Sequence, residues 1–151
     1  MSLRTFMLPA LAAGIVAAGP STPQGAGVPS GAWVVASSEQ DGKPFEFPAK
    51  GTRYTFADGK VTVGPEAGTG KVVYTFRADS KKDPKEIDLV QEGGKRKVVL
   101  RGIYREEKGR LIICVGLASG SGDDTVVEGD RPTAFKSGPN AQLLTFEPSG
   151  K

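Results

Sequence analysis

At 151 residues the chain has the length of one domain, and its 38% hydrophobic and 25% charged content is that of a soluble globule. Histidine is absent, which removes the commonest general base and metal ligand, and a single cysteine, Cys114, excludes an internal disulfide and any multi-cysteine zinc site. The net charge of +3 comes from 20 basic and 17 acidic residues scattered along the chain, a solvated surface rather than the clustered footprint of a nucleic-acid binder.

Residues 1–18 carry one cation, Arg4, followed by an uncharged apolar run over 6–18. At about 1.5 Å per residue that run falls short of a hydrocarbon core roughly 30 Å thick, so no membrane span is expected. Val16 and Ala18 supply the small residues of a signal-peptidase site, which predicts a signal peptide over 1–18, a mature chain beginning at Gly19, and export to the periplasm or the exterior. Residues 19–30 are rich in Pro, Gly and Ser without a charge and read as a flexible tether.

From residue 31 short β-type runs recur between turn signals, over 32–38, 52–57, 60–64, 71–77, 86–90, 97–104, 110–115 and 143–146. Asp58-Gly59 between two of them is a hairpin signal, because a type I′ turn needs residues that tolerate positive φ. A charged, Pro-containing loop follows the first run, and 116–130 reads as a long loop before the last strand. Glycine and proline, at 21 and 11 residues, favour such turns over long helices.

Period-2 alternation in Tyr54/Phe56, Val61/Val63, Val72/Tyr74/Phe76 and Ile87/Leu89 gives one apolar face per strand. Burying that face while removing exposed edges predicts an all-β domain, an antiparallel up-and-down barrel of about eight strands over 31–147. The runs 98–100 and 111–115 are apolar on both faces and are expected to be central or covered by a loop. Tyr54, Phe56, Val72, Tyr74, Phe76 and Leu100 would line either the core or a small apolar pocket.

Gly31-Ala32-Trp33 opens the first strand with the G-x-W found at the start of lipocalin barrels. Together with Asp41-Gly42-Lys43-Pro44, Pro84-Lys85-Glu86-Ile87-Asp88-Leu89, Gly102-Ile103-Tyr104 and Arg131-Pro132-Thr133-Ala134-Phe135, it resembles the uncharacterised lipocalin-like domain abundant in exported proteins of planctomycete bacteria. The resemblance implies a lipocalin-like barrel with Gly31, Trp33 and Arg131 as its structural signature. By motif position Arg131 is the expected counterpart of the arginine that lipocalins lay over the tryptophan ring, whose N–H is expected to find a backbone partner.

Chemistry-bearing candidates are few. Cys114 lies in an apolar strand with nothing to lower its pKa and reads as a buried small hydrophobe. The acidic residues Asp123, Asp124, Glu128 and Asp130 lack the alternate spacing of a calcium loop. Lys81, Lys82 and Lys85, and likewise Lys95, Arg96 and Lys97, read as solubilising hairpin tips on neighbouring connections. Residues 64–70 lack the Lys-Ser/Thr ending of a phosphate loop, and the serines lack a base. No catalytic residue, metal or cofactor is expected; an enzyme would have to use carboxylates alone, such as Asp88 with Glu106. The expectation is an exported, non-enzymatic binding domain for a small apolar ligand. Its alternative is a filled-barrel structural or protein-interaction module of the cell envelope.

Overall fold

The computed structural model describes residues 29–65, 71–91, 96–120 and 126–149, and among them there is no helix. Eight main strands form the wall: β1 (Gly31–Gln40), β3 (Arg53–Ala57), β4 (Lys60–Gly64), β5 (Val72–Asp79), β6 (Lys85–Gln91), β7 (Lys97–Glu107), β8 (Arg110–Gly116) and β10 (Ala141–Pro148). Two short strands, β2 (Lys43–Pro44) and β9 (Val126–Glu128), are added to it. Each wall strand pairs antiparallel with the next, and β10 returns to pair with β1, so the sheet closes into the antiparallel up-and-down barrel that the alternation predicts. A bulge between Val35 and Ser37 adjusts β1 to its two partners.

Turn chemistry sets the ends of the strands. Asp58 and Gly59 have φ of 53° and 74°, and Lys108 and Gly109 have 53° and 76°, the positive values that a two-residue type I′ turn requires. Asp41 and Gly42 repeat the pattern at 52° and 74°, folding β2 back on β1 where the sequence reading has only a loop. These alternations sort the barrel into two ends. The β3–β4 and β7–β8 turns, the β5–β6 connection, Pro29 and Ser149 lie at one end, the tail end; residues 41–52, 117–119 and 138–140 lie at the other, the loop end.

Inside, one contiguous cluster takes buried side chains from all eight wall strands, with Phe56, Val61, Ile87, Leu111, Ile113 and Phe146 no more than 2% exposed. Val99, Ile103 and Cys114 are buried but stand apart from this cluster, on the outward side of β7 and β8; Val127, also buried, pairs with Val98 and shares its face. Residues 126–136 cross that outward side as a strap. The strap explains why these two strands are apolar on both faces, as expected of strands covered by a loop.

The strap is partly a strand, which corrects the reading of 116–130 as a loop. β8 ends at Gly116, leaving residues 97–99 of β7 without that neighbour, and β9 fills the place, pairing parallel as Lys97↔Val126, Val98↔Val127 and Val99↔Glu128. Gly129 N then donates to Val99 O at 2.9 Å. Gly116 and Gly129 cross in backbone contact, so that a Cβ on either would overlap the other segment's carbonyl. The domain also begins earlier than the tether boundary implies, because Pro29 is fully buried.

Candidate functional site

The six residues assigned to a core or pocket divide by depth. Tyr54, Phe56 and Phe76 are core residues at 8%, 2% and 2% exposure. Tyr54 meets Phe146 edge-on at 4.8 Å between ring centroids, and Phe56 meets Phe76 at 5.3 Å, the T-shaped geometry that aromatic quadrupoles favour. Tyr74 and Leu100 pack against that cluster half-buried, and Val72, also half-buried, starts β5 opposite Val63 at the loop end. Burial, reinforced by the neighbouring Tyr74, holds the Tyr54 hydroxyl protonated far above the usual tyrosine range; burial raises Tyr74 as well.

Trp33 packs against the core at the tail end, and its Nε1–H donates to Ser30 O at 3.0 Å, the backbone partner expected of it. Gly31 opens β1 with φ 81°, and its register partner is Phe56. Arg131 does not stack on Trp33, which corrects that expectation. The strap carries Arg131 to the opposite wall of the barrel, where Nη1 donates to Gly102 O at 2.8 Å and Nε lies 3.3 Å from Glu86. Nη2 reaches Asp88 Oδ1 at 2.8 Å, off the hydrogen-bond axis and therefore as an ion pair; that oxygen is shut off from solvent. Glu86 and Asp88 alternate with the inward Ile87 and Leu89, so their outward aim was readable, whereas the path of the strap was not. This clasp borders a shallow depression of about 210 Å³.

A second depression of about 360 Å³ lies on the same outer face, floored by Val90 and Val99 and edged by Arg77, Lys97 and Arg101. Arg101 is held by Glu128 of β9 at 3.1 Å. A third, of about 440 Å³, lies at the loop end between β1 and residues 44–50. There the inward Gln142 of β10 donates through Nε2 to Ser38 Oγ and to the Phe47 carbonyl, tying residues 41–52 across the rim. The sequence reading missed Phe45, Phe47 and Gln142; Gln142 falls just before the last strand as read, so its inward place on β10 had no sequence signal.

The remaining candidates stay apart. Cys114 is fully buried under the strap, its thiol 3.5 Å from Lys136 O, and burial raises its pKa. Asp88 stands opposite Arg101 and Glu106 opposite Leu111, five positions apart along β7, or about 17 Å, too far to share a substrate proton. Lys81, Lys82 and Lys85 sit at the tail end, but Arg96 and Lys97 sit at the loop end, so the two basic tips do not neighbour one another. Asp123, Asp124, Lys95 and residues 66–70 lie outside the described residues, as do the signal peptide and residues 19–28 of the tether. Among the described residues no group of three or more carboxylate or thiol side chains is placed to hold a metal. No described helix is long and apolar enough to cross a membrane. No family model, no curated protein and no solved structure matches the chain.

Proposed function

We propose that this protein is an exported, non-enzymatic binding module that works through the rim and outer surface of a filled barrel. The observation that carries this reading is the single core cluster drawn from all eight wall strands, with Tyr54, Phe56, Phe76 and Phe146 interlocked inside it. An eight-stranded barrel has an interior that side chains can just fill, and aromatics of about 150–250 Å² each use that space quickly. The half-buried Val63, Val72, Tyr74 and Leu100 support a second reading, a small apolar ligand held shallowly beside them.

Titration with environment-sensitive fatty-acid and retinoid probes separates the two. The module gives no saturable signal with an intact fold, whereas micromolar, saturable binding of a long-chain lipid would overturn it in favour of a carrier. Export is tested by N-terminal sequencing of protein from its own source, with Gly19 as the expected first residue and an intact Met1 as the refuting one.

A further inference from the structure

Residues 41–52 form a rigid frame that holds aromatic rings out in water. Asp41 N donates to Gly138 O at 3.1 Å, Gly42 N to Ser137 Oγ at 2.9 Å, Phe45 N to Ser38 O at 2.8 Å and Gly51 N to Val35 O at 2.8 Å. The Phe47 carbonyl is fixed by Gln142. Inside this frame Phe47 is 75% exposed and Phe45 43%, the two most exposed aromatics among the described residues. Bonded at these points, the segment holds both rings outward, and exposed apolar surface on such a support marks a contact surface.

The depression of about 440 Å³ lies beside Phe47, which takes no part in its wall. Its apolar lining comes from Ala36, Pro44, Phe45, Pro48 and Ala49, and Glu46 and Lys50 stand on its edge. A knob and a socket side by side on one surface are what a twofold interface requires, because each copy then offers both halves. The charges are self-complementary as well. Asp41, Lys43, Glu46 and Lys50 are all exposed, two of each sign, so one copy's Glu46 can face the partner's Lys50 and the reverse. A neutral patch of this kind lacks the cation cluster that an anionic lipid surface recruits. Pro29 and Ser149 themselves lie at the tail end, away from this face.

We propose that residues 41–52 form a self-association surface on which Phe47 of one copy seats in the socket of a second copy. The patch is small beside the roughly 800 Å² per partner of a standard interface, so the dimer forms weakly and with concentration. This proposal concerns one face alone and holds whether the barrel is filled or carries a ligand.

Sedimentation velocity of the mature protein over a concentration series tests it. The wild type is expected to shift from monomer to dimer, and Phe47→Ser to raise the dissociation constant by at least about tenfold, as for a central aromatic anchor. Glu46→Lys and Lys50→Glu should each weaken association, and the double reversal should restore it. Unchanged circular dichroism in every variant keeps the comparison one of association. A wild-type chain that stays monomeric throughout, or a Phe47→Ser chain that associates as before, overturns the proposal. So does a double reversal no better than the single ones. A solution monomer that pellets with phosphatidylglycerol vesicles through Phe47 would make a lipid surface the occupant instead.

Discussion

Replacing Arg131 with methionine removes every polar contact of the clasp while keeping a side chain long enough to cover β6. The charge-assisted hydrogen bond to Gly102 O, at 2.8 Å, is worth about 1.5–3 kcal/mol. The ion pairs involve side chains 27–34% exposed, so solvent screening reduces the Glu86 pair to about 0.5 kcal/mol or less, while Asp88, whose Oδ1 is shut off from solvent, adds up to about 1 kcal/mol. The substitution should therefore cost about 2–4 kcal/mol. With a urea slope of about 1.5 kcal/mol/M, the midpoint falls by about 1.3–2.7 M. Arg101→Met is the matched control, because it removes a pair with Glu128 whose side chains are 40% and 45% exposed, and it should cost less than about 1 kcal/mol. Trp33 reports on placement in the same samples: its fluorescence should be unchanged in folded Arg131→Met. A midpoint within about 0.3 M of wild type, or a shifted Trp33 emission in the native state, would refute the clasp as described.

The three tyrosines give a pH signature. Burial, with Glu106 and Asp79 adding, pushes Tyr104 up to about 12, and Tyr54 and Tyr74 are raised too. Unfolded tyrosines ionise near 10, so their contribution is fully present below about pH 10 and is lost as pH climbs toward 12. Absorbance at the phenolate band should show ionisation near pH 10 only in urea, and a native titration there would contradict the burial. Cys114, fully buried under the strap, should resist a thiol reagent until the protein unfolds; labelling at the rate of a free thiol would mean that the strap opens. Gly102→Ala would bring a Cβ to 2.7 Å from Cys114 O and 2.8 Å from Val115 Cγ1, an overpacking worth about 1–3 kcal/mol in denaturant titrations.

What the sequence disclosed was local. Alternation at Tyr54/Phe56 and Ile87/Leu89 assigned faces correctly, and Asp58-Gly59 located its hairpin, because side-chain period and positive φ are settled within a few residues. The apolar outer faces of β7 and β8 announced that something covers them. What covers them was hidden: three residues of β9 lie too short and too polar at their flanks to read as a strand, and their parallel pairing depends on where β8 stops. Arg131 was assigned to the wrong wall for the same reason. Its motif position fixes its distance along the chain from Trp33, while the strap fixes its distance in space. The rim was the least legible part. Phe45-Glu46-Phe47 alternates like a strand, and the bonds that Phe45 N donates to Ser38 O and Gln142 donates to Phe47 O set it with its rings facing water.

Ser149 N donates to Ala32 O at 2.9 Å and Trp33 stands opposite Pro148, so the described chain leaves the barrel beside the point where it enters. In a closed cylinder every wall strand has two neighbours, and no strand is first except by covalent accident. A short glycine–serine bridge between the two described ends, with new ends cut at the exposed Lys108-Gly109 turn, would relabel the strands without disturbing a single pairing. By the same geometry the whole domain could be spliced into an exposed turn of a host protein without prising that turn apart.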